Sequence, residues 1–213
     1  MTTGLILQSV TISIGQRTLI SSLDLTVTQG SVVTVMGPSG SGKSTLISFI
    51  GGHLEPAFRA TGQVLIDSRD VTQLPPERRG IGILFQDDLL FPHLSVGANL
   101  AFGLASGVDR ASRRDRVNKA LAEADLKGFY DRDPATLSGG QRARVALMRT
   151  LLSEPRALLL DEPFPKLDIE MRREFRRFVF DRATANRLPV LLVTHDPDDA
   201  EAAAGQTLTL QVE

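Results

Sequence analysis

The chain contains no cysteine, no tryptophan and a single tyrosine, Tyr130. Without cysteine there is no disulfide framework, no thiolate metal site and no cysteine nucleophile, which fits a cytosolic protein. An excess of one charge is missing too, because 24 Lys and Arg stand against 25 Asp and Glu in 213 residues. Net charge therefore gives no drive toward nucleic acid or an anionic membrane surface. No apolar run approaches the roughly 18–20 residues that span a bilayer. The opening "MTTGLILQSV" lacks the basic region and long apolar segment of a signal peptide. What is present is 42% hydrophobic residues, enough for one large domain or one domain with an insertion that folds alone.

The apolar pattern changes along the chain. "LILQSVTISI" and "TLISSLDLTV" alternate apolar and polar residues and are bounded by Gly15 and Gly30, so they are expected as antiparallel strands with one wet face. "SVVTVM" is a short apolar run, the mark of a strand buried on both faces. A Gly-rich turn and a helix from about Lys43 follow, then short strands near "QVLID" and "GIGILF". "DDLLFPHLSVGANLAFGL" and "RASRRDRVNKALAEADL" instead show helical periodicity, and predict an inserted helical subdomain over 88–153. Alternation resumes with "ALLL", a helix over 169–186, "PVLLVT", a short helix and a last strand "TLTLQV". The basic stretch Arg110, Arg113, Arg114, Arg116 and Lys119 reads most simply as a solvated helix face.

"GPSGSGKST" at 37–45 matches G-x-x-x-x-G-K-[ST] between a buried strand and a helix, as a phosphate-binding loop requires. Gly37, Gly40 and Gly42, with Pro38, Ser39 and Ser41 between them, let backbone N–H groups wrap phosphate oxygens. Lys43 supplies a point charge near the β and γ phosphates, Ser44 a hydroxyl for Mg²⁺, and Thr45 completes the motif. "ALLLDEP" ends a buried strand with Asp161 and Glu162, one carboxylate for the Mg²⁺ shell and one to polarise an attacking water. "VLLVTHD" ends another with His195, within expected reach of a γ phosphate. In "TLSGGQRARVAL", Ser138 stands at an N-cap, and Gly139 and Gly140 open a helix whose bare amides are a natural anion seat. Taken alone, "SGG" reads most simply as an ordinary flexible turn.

These residues carry a resemblance to the ATP-binding subunits of ABC transporters over essentially the whole length. The phosphate loop, Gln86 in "LFQDD", "LSGGQ" at 137–141, "LLLDEP" at 158–163 and "THD" at 194–196 fall in the family's order. The resemblance implies an α/β P-loop NTPase with a RecA-like core. Core and N-terminal antiparallel β subdomain would take 1–87 and 154–213, and the helical signature subdomain 88–153. It implies that Glu162 is the general base or water-polarising group, that His195 steadies the γ phosphate, and that Lys43 binds it. Gln86 would link metal and water to the helical subdomain, with Ser44 and Asp161 as the other metal-side groups. Ser138, Gly139, Gly140 and Gln141 would face ATP held by a second copy of the chain, in a head-to-tail sandwich. Asp168 in "PKLD" would belong to the loop that crosses the interface, where Pro165 replaces the usual small residue and removes a donor. Ile14, before Gly15, stands where the family usually presents an aromatic ring to adenine.

"FPHLSVGANLAFGL" resembles the segment after the glutamine loop in bacterial importers for thiamine, iron, sulfate and polyamines. With little chain after "TLTLQV", the expectation is a minimal motor without a C-terminal regulatory domain. The resemblance implies ATP and Mg²⁺, separate membrane permease subunits docking near Gln86 to His93, and an extracytoplasmic solute-binding protein. No nucleic-acid partner is expected. The chain would sit in the cytoplasm against the inner face of the membrane. The alternative is a soluble ABC ATPase of DNA repair, translation or cluster assembly, but long coiled coils and a second ATPase half are absent. A GTPase is disfavoured, because N-K-x-D is missing: Asn118 and Lys119 are followed by Ala120 and Leu121.

Overall fold

Strands β1 (Gly4–Ile14) and β2 (Arg17–Thr28) pair antiparallel, yet neither alternates cleanly. In β1 the buried side chains are Leu5, Leu7, Val10 and Ile12, so the inward face changes parity between Leu7 and Val10. The register shifts there, and Ser9 adopts φ 50°. This is a β-bulge, which inserts one residue and returns the following apolar side chains to the core face. β2 makes the matching change at Ser22, φ 46°, between buried Ile20 and Leu23. The displaced amides find side-chain acceptors: Ser9 N–H donates to Asp24 Oδ1 at 2.8 Å, and Ser22 N–H to Thr11 Oγ1 at 3.0 Å.

The computed structural model describes residues 4–164 and 168–210; Pro165 and the expectation attached to it lie outside them. Two compact units emerge, one of Met1–Ile83, Arg156–Glu162 and Phe180–Glu213, the other of Leu84–Pro155 and Pro163–Val179.

In the first unit, a four-stranded antiparallel sheet has the order β2-β1-β4-β5, with β4 at Phe58–Ile66 and β5 at Arg69–Asp70. The sequence expectation of a short strand near "QVLID" undercounts β4, which begins at Phe58 and runs through Gly62. Gly62 has φ 98°, and a Cβ there would lie 2.7 Å from the Gln8 and Ser9 carbonyl oxygens. The glycine lets β4 run past the bulge in β1.

A five-stranded sheet has the order β6-β7-β8-β3-β9: β3 is Val32–Met36, β6 Ile81–Leu84, β7 Ala157–Asp161, β8 Val190–Thr194 and β9 Gln206–Thr209. β3 pairs parallel with β8 and β9, and β7 with β8. Leu158, Leu159 and Leu160 are fully buried, as are Val190 to Val193, which is what parallel strands covered on both faces require. At about 1.5–3 kcal/mol per buried aliphatic side chain, these runs fix where each strand ends, and the chemistry sits at those ends. Helix α1 (Lys43–Gly51) follows β3.

The second unit is helical. α2 (Val96–Phe102), α3 (Arg110–Glu123) and α4 (Gly139–Leu152) share a core that includes Leu100, Val117, Leu121, Val145 and Met148. The periodicity over 87–95 does not yield a helix; this stretch is a loop closed by buried Asn99. Phe91 N–H donates to Asn99 Oδ1 at 2.8 Å, and Asn99 Nδ2 donates to the Phe91, Leu94 and Ser95 carbonyls at 3.1–3.2 Å. The basic face of α3 is engaged as well as solvated, since Arg113 donates to Ala101 O at 2.6 Å and Arg114 lies over the Tyr130 ring. Helix α5 (Ile169–Ala185) crosses the division between the units, and α6 (Pro197–Ala203) returns to the first.

Candidate nucleotide site

β3 delivers its last residue, Met36, to a loop in which Gly40 and Gly42 take φ 78° and 91°. Gly42 is the N-cap of α1 and gives it no side-chain cap, so the first-turn amides are left for an external acceptor. Gly37 is required for a different reason, since a Cβ there would lie 2.6 Å from Ser41 Oγ. Lys43 is 5% exposed, and its Nζ donates to the Gly37 and Pro38 carbonyls at 2.8 and 2.9 Å.

β7 and β8 bring the acids and the histidine to the same region. Ser44 Oγ donates to Asp161 Oδ1 at 3.0 Å. Burial, with Glu162 nearby, raises the Asp161 carboxyl above its usual range, while the Ser44 hydrogen bond opposes the rise. A hydroxyl and a desolvated carboxylate next to a second acid form an oxygen donor set that suits a hard divalent cation such as Mg²⁺. Glu162 has φ 44°, and its N–H donates to Val193 O at 3.0 Å. Left-handed backbone at a residue with a Cβ is strained by about 1–3 kcal/mol, and here it aims the side chain between two partners. Glu162 Oε1 is 3.9 Å from Lys43 Nζ, and Oε2 is 3.0 Å from His195 Nδ1.

Lys43, Ser44, Asp161, Glu162 and His195 therefore converge within the first unit. Ser39 and Gly40 are exposed on the same loop, Ser41 is buried and Thr45 half-buried. Ile14 ends β1, 39% exposed, with Arg17 and Phe58 as register partners. Gln86, Ser138 to Gln141 and Asp168 belong to the second unit. Gln86 is exposed just after β6, and Asp168 Oδ1 accepts from Met171 N–H at 2.9 Å, opening α5. The start of α4 is less bare than its glycines suggest. Ser138 Oγ accepts from Gln141 N–H at 3.3 Å, and Gln141 Oε1 accepts from Ser138 N–H at 3.0 Å. This capping box leaves the Gly139 and Gly140 amides at the helix opening.

Sequence spacing carried no sign of some supporting residues. Arg79, 7% exposed, donates through Nη1 to Phe49 O and Ile50 O at 2.8 Å each, and through Nε to Leu74 O at 2.8 Å. It ties down the C-terminal end of the phosphate-loop helix, and burial lowers its pKa. Arg149 holds the Leu89 and Asp88 carbonyls at 2.9 and 3.2 Å, with Leu89 at φ 46° and 56% exposed. Neither arginine belongs to a motif.

A glycine loop, a buried lysine, a Ser–Asp pair and a Glu–His pair at the ends of parallel strands define a P-loop ATPase. The ABC transporter family model matches residues 20–165, and the chain belongs to that family, as an ATP-binding ATPase. It is 48% identical over 198 residues to the uncharacterized ABC transporter ATP-binding protein YnjD of Escherichia coli (strain K12), covering 93% of this chain and 91% of that protein. It is 42% identical over 205 residues to the Fe(3+) ions import ATP-binding protein FbpC of the same strain, covering 96% of this chain but 58% of FbpC. Among solved structures it matches cbiO1 from Clostridium perfringens, part of the ABC transporter complex cbiONQ, with a TM-score of 0.86 at 26% identity. That match covers 99% of this chain and 86% of cbiO1. It also matches the ATP-binding cassette MJ0796, a dimer bound to ADP and Pi, with a TM-score of 0.79 at 30% identity over 98% and 96%.

Proposed function

We propose that this chain is the ATP-hydrolysing subunit of a solute importer. The convergence of Lys43, Glu162 and His195 carries the reading. In it, Glu162 takes the proton of the attacking water, and its strained backbone keeps the carboxylate beside His195. His195 holds water and γ phosphate in line, and Lys43 leaves the Gly37 and Pro38 carbonyls for the β and γ phosphates. Ser44, Asp161 and Gln86 would hold Mg²⁺, which supplies charge neutralisation at those phosphates. The loop from Gly37 to Thr45 wraps the phosphates, and Ile14 lies beside the adenine. Ser138 to Gln141 and Asp168 meet the nucleotide of a second copy, a pairing supported by the dimeric MJ0796 relative.

Transport, rather than a soluble role in repair, translation or cluster assembly, is supported by the names of the relatives. Among the described residues no helix is long and apolar enough to cross a membrane, so permease subunits provide the path. The exposed Leu89, with Phe91 and Phe102 at a 4.7 Å ring separation, offers their cytoplasmic helices an apolar seat. The FbpC relatives favour import, with an extracytoplasmic solute-binding protein and Fe(3+) as the first cargo to test. Co-expression with candidate permease subunits, reconstitution into liposomes and measurement of ATP-dependent uptake tests the reading. Uptake that vanishes with Lys43→Ala supports it; ATPase activity with no membrane association overturns it.

A further inference from the structure

Thr194, the last residue of β8, is 1% exposed and pairs in register with Met36, directly before the phosphate loop. Its hydroxyl donates to Asp199 Oδ2 at 2.9 Å and accepts from Asp196 N–H at 3.0 Å. The bonds run in one direction, amide to hydroxyl to carboxylate, so each polarises the next. Asp199 is 4% exposed in α6. It is not the helix cap, because Asp196 Oδ1 already accepts from Asp198 N–H at 2.9 Å. An apolar residue at 199 would pack without the desolvation penalty of a buried acid. Here the buried carboxylate accepts from the hydroxyl at the strand end.

Residue 195 lies inside this latch. His195 is 61% exposed, so packing does not fix the ring; the backbone on either side does. One residue earlier than the latch, Val193 O accepts from Glu162 N–H. Adjacent residues of β8 thus carry the backbone of Glu162 and the anchor of the loop bearing His195. Loosening the anchor changes the Glu162–His195 distance without touching the loop that grips phosphate.

We infer that Asp199 and Thr194 form a positioning pair that holds His195 against Glu162, setting the rate of hydrolysis and not the affinity for nucleotide. The inference rests on the reading of Glu162 and His195 as the hydrolytic pair.

The test compares Thr194→Val and Thr194→Ser, each in the wild-type and His195→Ala backgrounds. Readouts are kcat, KM, affinity for a fluorescent ATP analogue, Tm and the NMR shift of the His195 imidazole. Thr194→Val is expected to lower kcat roughly 10–100-fold, the scale for small misplacements of reacting groups, with KM and affinity unchanged and the imidazole shift moved. Thr194→Ser restores rate and shift. In His195→Ala, Thr194→Val lowers kcat no further. An equal loss in both backgrounds, or a weakened affinity that accounts for the slower rate, overturns the positioning role. Wild-type turnover by His195→Ala itself instead removes the reading beneath it, and the inference with it. Should Thr194→Val fail to fold, Asp199→Asn keeps the buried volume and reads the same coupling: loss in the wild-type background and none in His195→Ala supports the pair, and any other pattern overturns it.

Discussion

His195 Nδ1 lies 3.0 Å from Glu162 Oε2 while Lys43 Nζ stands 3.9 Å from the other oxygen of the same carboxylate. One acid therefore faces both the histidine and the lysine, and changing its charge without changing its shape separates binding from chemistry. Glu162→Gln is expected to bind MgATP like wild type and to lose about 10²–10⁴-fold in kcat, the usual contribution of a general base. The variant should accumulate as an ATP-bound dimer on size exclusion. Turnover within a few fold of wild type would remove Glu162 from the role.

The opening of α4 carries the second prediction. The capping box orders Ser138 and leaves two glycine amides open, and a bulky cation at 138 fills the space an incoming phosphate needs. The chain is expected to be monomeric without nucleotide and dimeric with MgATP, since ligand that binds the dimer shifts the equilibrium by mass action. Ser138→Arg blocks the shift. Light scattering with and without MgATP measures it, and a dimer population indifferent to ATP contradicts the mechanism.

Asp161 links pH to stability. Its pKa is raised in the folded state, chiefly by burial, so the folded chain binds this proton more tightly than the unfolded chain. Stability from this group therefore falls as pH rises from the ordinary carboxylate value through the raised one, and the full penalty is present above it. Asp161→Asn removes the penalty while keeping a partner for Ser44. Without nucleotide it should melt above wild type at pH 8, with the gap narrowing as pH falls through the raised pKa toward the ordinary carboxylate value, and should lose the further gain from MgATP. A variant less stable than wild type at pH 8 refutes the assignment.

Ile14 concerns the base. At this end of β1 its register partners are Arg17 and Phe58, and no ring occupies position 14 itself. A missing stacking platform weakens base binding by about 1–3 kcal/mol by analogy with nucleic-acid sites, which is a factor of several to about a hundred in affinity. Phosphate contacts then dominate, so wild type should discriminate poorly between ATP and GTP, and Ile14→Tyr should tighten ATP binding. Titration of both proteins with both nucleotides decides it; strong ATP preference in wild type with no gain from tyrosine sinks the idea.

The fold class was legible because buried parallel strands write themselves as unbroken apolar runs. "ALLL" and "VLLV" have no polar residue to mislead. The bulges at Ser9 and Ser22 were not legible, since one extra residue shifts parity without leaving a compositional mark. The first half of β4 was not legible either, since the purpose of Gly62, clearance for the Gln8 and Ser9 carbonyls, belongs to another strand. Leu89, Leu90 and Leu94 imitate helical spacing, while the loop they occupy is set by one asparagine bonding to backbone carbonyls. At the site, Lys43, Ser44, Asp161, Glu162 and His195 stand in short local motifs. Asp199, Arg79 and Arg149 act on backbone or hydroxyl groups with no fixed spacing, so only the folded structure exposes them.

The strand order has a bearing on how the protein is made. β3 leads into the phosphate loop, and its neighbours are β8 and β9, from the last tenth of the described chain. A nascent chain carries residues 37–45 long before it carries the strands that flank them. At about 5–20 residues per second, the wait for β9 is roughly ten to thirty seconds of translation. Until residue 190 the glycine loop hangs from a strand with neither partner, and β8 arrives before β9. A stop between residues 46 and 190 is expected to abolish ATP binding while leaving every residue of the loop in place.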